Sequence, residues 1–142
     1  MKPIYTESAI AEGGREGRVH SSDGFIDLTL SQPKAAGGSG AGTNPEALFA
    51  AGYSACFHSA MMLVGRMQKK DVGGSSVEGH VTIGQKDSGQ GFELAVKHIV
   101  RLPNLDQAEA VALVDAAHEI CPYSNATRGN IPVDFEVHGK GE

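Results

Sequence analysis

The chain has 142 residues, 40% hydrophobic and 20% charged, with a formal net charge of −5 from 12 Lys+Arg against 17 Asp+Glu. That suffices for a single domain over residues 1–142 with a core independent of disulfides. An acidic chain without basic runs is a poor match for nucleic acid or an anionic membrane surface, and the opening MKPIYTESAI lacks a signal-type apolar core, so a cytoplasmic protein with neither partner is expected.

Three short strands are predicted first, over IYTESAI, GRVHSSD and FIDLTLS. The third alternates cleanly, with Ile26, Leu28 and Leu30 on one face and Asp27 and Thr29 on the other. Asp23-Gly24 reads as a two-residue hairpin turn between the second and third. The Pro/Gly/Ser-rich stretch PKAAGGSGAGTNPE then leads into a helix from about Asn44 to Gln68. Thr43 and Glu46 have the spacing of a capping box, and Pro45 suits the first helical turn. The helix is apolar nearly all round through Val64, the pattern of a buried central helix.

SVEGHVTIGQ and GFELAVKHIVRL predict a hairpin across the turn-rich KDSGQ. Val77, Val81 and Ile83 alternate in the first strand; Phe92, Leu94, Val96 and Val100 alternate in the second. A second helix starts at Asp106 as N-cap, with Glu109 at N3, and runs to about Ile120, where Pro122 stops it. The segment PYSNATRGN reads as a loop, and IPVDFEV as a last strand with Ile131, Val133, Phe135 and Val137 on one face. The order β-β-β-α-β-β-α-β is α+β with mainly antiparallel strands.

Two cysteines stand far apart, Cys56 within the small-residue apolar run AAGYSACFHSAMMLVG and Cys121 at the end of the second helix. In a reducing compartment such a pair means redox chemistry, a metal ligand or plain core filling. Among the metal candidates only His118 and Cys121 share a helix face, and two further ligands would have to come from elsewhere. His20, His80, His98 and His138 fall on strands or their ends, as surface or satisfied residues. No metal is expected. The glycine-rich loop does not read as a phosphate cradle, because Thr43 stands where a GxGxxG pattern starting at Gly38 needs its last glycine. Arg15 and Arg18 lie in the glycine-flanked turn EGGREGRV, and a guanidinium beside a cysteine favours the thiolate.

GGREGRV, TNPEALFAAGYSACF and CPYSNATRGN, in this order and at these spacings, resemble the organic hydroperoxide resistance branch of the OsmC/Ohr superfamily. The resemblance covers essentially the whole chain and implies an intertwined homodimer, with β-sheets around two central helices and active sites at the subunit interface. It implies a two-cysteine thiol peroxidase for organic hydroperoxides. Cys56 then matches the peroxidatic cysteine, Cys121 the resolving one, Arg15 the residue that activates the thiolate and Glu46 the carboxylate that holds Arg15. No bound cofactor is implied; the reductant would be an external dithiol, dihydrolipoamide or a lipoylated protein.

The chemistry agrees with these roles. The thiolate is the nucleophile, an arginine can stabilise both it and the departing alkoxide, and an arginine buried in a dry site needs a partner such as Glu46. Phe49, Phe57, Met61 and Met62 suit an apolar peroxide, with ordinary core packing as their simpler role; Tyr123 and Asn125 flank Cys121. On one helix, Glu46 and Cys56 are separated by about 15 Å of rise. That separation leads to the expectation that Glu46 is supplied by the partner subunit, or that the site bridges subunits some other way.

Overall fold

In the computed structural model, which describes residues 1–142, β1 (Ala9–Glu12), β2 (Arg18–Ser21) and β3 (Asp27–Thr29) form an antiparallel meander. The chain divides into two compact units, Met1–Leu48 and Phe49–Glu142. In the first unit, the strand expected over IYTESAI forms only from Ala9 onward. The turn between β2 and β3 is wider than the expected two-residue hairpin. Its ends close through the Ser21 N–H to the Ile26 carbonyl at 2.8 Å, and the Asp23 carboxylate accepts from the Phe25 N–H and the Ser21 hydroxyl. Asp23 thus builds an Asx-type turn from its own side chain, which displaces the tighter alternative. Of the expected apolar face only Leu30 is buried; Ile26 and Leu28 are exposed.

The glycine-rich segment is tied down within the same unit. Ser31 N–H donates to the Thr43 carbonyl, Thr43 N–H to the Thr29 carbonyl, and Gly42 N–H to the Ser31 hydroxyl. The long helix α1 (Pro45–Met67) begins directly after it. Asn44, not Thr43, caps this helix: its Oδ1 accepts from the Ala47 N–H at 2.8 Å. With the cap one residue later, Glu46 is released from the expected capping box and bonds Arg15 instead.

In the second unit β4 (Ser76–Gln85) and β5 (Phe92–Arg101) pair antiparallel over their full length, as the alternation predicts, and β6 (Val133–His138) adds to β5 in parallel. The helices α2 (Gln107–Ile120) and α3 (Pro122–Thr127) come between them. α2 carries the predicted cap, with the Asp106 carboxylate accepting from the Glu109 N–H at 2.8 Å. α3 corrects the loop expected over PYSNATRGN: Pro122 both ends α2 and occupies N1 of the next helix, where its missing N–H costs nothing. The order is therefore β-β-β-α-β-β-α-α-β, still α+β and mainly antiparallel.

The core of this unit forms where α1 lays Tyr53, Phe57, Met61 and Val64 against Val96 and Val100 of β5 and Leu113, Val114 and Ala117 of α2. By length and composition α1 matches a membrane span. It buries one stripe only, at the i, i+4, i+8 spacing of a helix face, and leaves Met62, Leu63 and Met67 exposed. The helix is one-sided rather than buried all round, and the sequence pattern, apolar on both sides, hid that difference.

Candidate active site

Cys56 lies in the middle of α1, and Cys121 is the single residue that joins α2 to α3, at once C-cap of the first and N-cap of the second. Their sulfur atoms are 3.6 Å apart, and both thiols are free. Cys121 is completely buried while Cys56 is half-buried, so the first thiol that a solute reaches is Cys56. Burial pushes the Cys56 thiol above its ordinary range; the Tyr123 backbone N–H opposes this, and the neighbouring Cys121 adds to it. A nucleophile at this position therefore needs help to ionise.

The elbow that carries Cys121 is bonded on both flanks. Inside, Tyr53 Oη lies 2.8 Å from Ser124 Oγ and 3.2 Å from Thr127 Oγ1, and Ser124 Oγ lies 2.8 Å from His118 Nδ1. Outside, Arg128 donates to the His118 carbonyl and, at 2.6 Å, to Asn125 Oδ1. Gly52 on α1 leaves room for Tyr123: a Cβ there would sit 3.3 Å from the phenol, which would have to yield by a few tenths of an ångström. Phe49 and Tyr123, with Phe92, Leu94 and Ile131, line an open groove of about 870 Å³ with Lys86 on its rim.

The first unit holds the other predicted pair. Arg15 donates twice to Glu46, Nη1 to Oε2 at 2.8 Å and Nη2 to Oε1 at 2.6 Å. The Arg15 side chain is 38% exposed and that of Glu46 15%. The guanidinium holds the Glu46 carboxyl below the usual carboxylate range despite burial, and Glu46 raises Arg15 in turn. Both partners of this fork come from one chain, so the carboxylate and the guanidinium act as a single element. Arg15 sits in a short 3₁₀ turn, Gly14–Glu16, entered through left-handed Gly13 and Gly14. At Gly17 a Cβ would stand 1.8 Å from the Glu12 carbonyl oxygen, so this position admits glycine alone. The Glu16 carboxylate accepts from the Gln32 N–H at 2.9 Å and fastens the turn to the segment that follows β3.

Residues 37–136 match the family described as OsmC-like protein. The chain belongs to the OsmC-like family. This OsmC-like chain is 52% identical over 138 residues to the organic hydroperoxide resistance protein of Xanthomonas axonopodis pv. citri, with 96% of each chain covered. It is 43% identical over 134 residues to the organic hydroperoxide resistance protein OhrB of Bacillus subtilis, covering 94% of this chain and 98% of that one. Its fold superposes on the crystal structure of an organic hydroperoxide resistance protein from Elizabethkingia anophelis with a TM-score of 0.92 at 46% identity, over 99% of this chain and 100% of the other.

Not every expected pocket residue of the OsmC-like chain reaches the groove. Phe57 and Met61 are fully buried in the core, their simpler role, while Asn125 is engaged by Arg128. His118, considered as a metal ligand with Cys121, turns its Nδ1 to Ser124 instead, and no group of three or more His, Cys, Asp or Glu side chains gathers as an ion site. His98 corrects the sequence reading outright. Expected at the surface or satisfied, it is 0% exposed, both ring nitrogens lack a partner, and it stacks on Phe57 and Phe135, which also touch each other, with Tyr53 edge-on. Its place between Val96 and Val100, on the inward parity of β5, was the available signal.

Proposed function

We propose that this protein is a two-cysteine thiol peroxidase that reduces organic hydroperoxides to alcohols. The observation that carries the reading is the 3.6 Å approach of a half-buried thiol to a fully buried one. In the first step the Cys56 thiolate attacks the terminal peroxide oxygen. The O–O bond breaks, an S–O bond forms, and the alkoxide leaves and takes up a proton; Cys56 becomes a sulfenic acid. In the second step Cys121 sulfur displaces the hydroxyl, which departs as water with the Cys121 proton, and a Cys56–Cys121 disulfide remains. An external dithiol, dihydrolipoamide or a lipoylated protein, then restores both thiols by exchange.

The Arg15–Glu46 fork supplies the cation that this scheme requires. Burial, and then the neighbouring Cys121, raise the Cys56 thiol, so a fixed guanidinium is the group that would return it to the thiolate and stabilise the leaving oxygen. Glu46 keeps that guanidinium in one orientation. We place the fork in a site shared between two copies of the chain. Ile10, Ile26 and Leu28 on the first sheet and Met62 and Leu63 on α1 leave apolar side chains uncovered that a second copy would bury. The groove beside Phe49 and Tyr123 is where the organic part of the peroxide would lie, which favours alkyl and aryl hydroperoxides over hydrogen peroxide.

Peroxide consumption with dihydrolipoamide as reductant tests the reading. Cumene hydroperoxide should be turned over much faster than hydrogen peroxide, and Cys56→Ser should abolish turnover. Full activity in Cys56→Ser, or oxidation of the two thiols without turnover, would overturn it; the second result would make the protein a sensor of oxidants rather than an enzyme.

A further inference from the structure

Two rungs join α1 to the α2–α3 elbow. Tyr53 and Cys56 are one turn apart on α1, and Cys121 and Ser124 are one turn apart across the elbow. Tyr53 meets Ser124 at 2.8 Å and Cys56 meets Cys121 at 3.6 Å, so the pairs run in opposite directions along the two segments. The polar rung is completely buried. Tyr53 and Ser124 are each 0% exposed, and the Ser124 hydroxyl is shared with His118 Nδ1 while Tyr53 also reaches Thr127. A chain of four polar side chains in an apolar core is costly unless each is satisfied, and here each finds a partner. Thr127 adds its own bond to the Ser124 carbonyl at 3.1 Å, closing the network on α3.

From this geometry we infer that Tyr53 and Ser124 are positioning residues for the resolving step: their hydrogen bond, backed by His118, holds the elbow so that Cys121 sulfur meets Cys56. The inference rests on the two-cysteine reading above and deepens it. Condensation requires the two sulfur atoms to close from 3.6 Å to the roughly 2.05 Å of a disulfide. In that step the Cys56 S–O bond and the Cys121 S–H bond break, the S–S bond forms, and water carries off the hydroxyl and the proton. Cys121 is the hinge residue between α2 and α3, with extended backbone at φ −63°, ψ 123°; its N–H donates to the Ala117 carbonyl and its carbonyl accepts from the Asn125 N–H, so it moves with the two helix ends. Its placement depends on whatever holds the two helices at their present angle. On the solvent side that is Arg128; on the side facing α1 it is the Ser124 hydroxyl. Neither Tyr53 nor Ser124 has a part in the attack on peroxide, so their loss should divide the two steps.

Tyr53→Phe keeps the ring and removes one oxygen; Ser124→Ala removes the shared hydroxyl from the other side. Each is treated with one equivalent of cumene hydroperoxide without reductant, and the products are counted by mass spectrometry with dimedone present to trap sulfenic acid. Wild type should go through to the disulfide with little adduct. Both variants should consume the peroxide at the wild-type rate, yet form the disulfide about fivefold more slowly or worse, the effect of one buried hydrogen bond, and accumulate Cys56 adduct. The double variant should be no slower than the worse single one, since both break the same rung. Closure driven by diamide instead of peroxide provides a second readout, independent of any peroxidase activity. It should slow by the same factor, and it separates failure of this inference from failure of the peroxidase reading. Disulfide formation at the wild-type rate in both folded variants, with either oxidant, would overturn the positioning role. So would an equal loss in the peroxide step, which would mark a general loosening of the fold.

Discussion

Cys56 Sγ and Cys121 Sγ face each other at 3.6 Å, one from the middle of α1 and the other from the hinge between α2 and α3. They are 65 positions apart in the chain, so a bond between them closes a long loop. In the chain-entropy account, closing a loop of this size removes about 4 kcal/mol of freedom from the unfolded state. The elbow must move by about 1.5 Å to make the bond, which offsets part of that gain. The oxidised protein should therefore melt several degrees above the reduced one, and the difference should vanish in Cys121→Ser. Calorimetry of the two redox forms reads this directly; an oxidised form that melts lower would mean that the reduced elbow is built against closure.

The Arg15–Glu46 fork makes the two basic side chains unequal replacements for one another. Arg15→Lys retains a positive charge but loses the planar pair of bonds to Oε1 and Oε2. Arg15→Ala should slow the reaction of Cys56 with cumene hydroperoxide on the order of 100-fold. Arg15→Lys should fall between that and wild type, and Glu46→Gln should resemble it, because a guanidinium without its carboxylate is free to turn away. The Cys56 thiol should titrate higher in Arg15→Ala than in wild type, measured by the pH dependence of alkylation. Equal titration in the two proteins would remove Arg15 from the site.

Gly17 tests how tightly the Arg15 turn is built. Its φ of −126° is open to any residue, so the obstacle is contact: a Cβ would stand 1.8 Å from the Glu12 carbonyl oxygen and 2.7 Å from Gly13 Cα. Both neighbours are backbone and cannot swing aside. Gly17→Ala should destabilise the protein by about 1–3 kcal/mol and depress peroxide turnover through displacement of Arg15. Gly14→Ala is the useful comparison. It meets nothing within 4 Å, and its φ of +58° imposes backbone strain alone. Urea midpoints and turnover of the two variants separate contact from strain.

Elements with a strong local period are legible in the sequence. β4, β5 and α2 fall where alternation and the Asp106–Glu109 cap put them. α3 was not legible, because six residues carry no helical repeat and Pro122 gives the same signal for stopping one helix as for starting another. Thr43 and Glu46 have capping-box spacing, yet Asn44 competes for the same cap, and only the tertiary bond to Arg15 decides between them. The juxtaposition of Cys56 with Cys121 has no local signature at all; it entered with the family resemblance. The hydrogen bonds that join Tyr53, Ser124 and His118 were not legible either, because a polar network drawn from two helices and an elbow has no sequence period.

His98 yields the last prediction, on acid stability. With Phe57, Phe135 and Tyr53 around it and no partner for either ring nitrogen, its charged form is penalised by burial and then by His118 nearby, and its pKa is lowered from 6.5 to about 4. Lowering in the folded state means that the unfolded chain takes up the proton first. The stability that depends on neutral His98 is thus complete above about pH 6.5 and is lost as the pH falls towards 4, below which both states are protonated. A shift of that size corresponds to about 3 kcal/mol across the window. His118, lowered by burial and the Arg128 charge, adds to the loss in the same direction, whereas Glu136, whose carboxyl is lowered from 4.5 to about 2, begins to cost stability only from about pH 4.5 downward, at the acid edge of the window. His98→Leu fills nearly the same space without orphaned nitrogens. It should be at least as stable as wild type at pH 7 and should lose markedly less stability between pH 6.5 and 4. Denaturant unfolding of both proteins across that range measures it, and parallel pH profiles would show that His98 takes its proton as readily inside the core as outside.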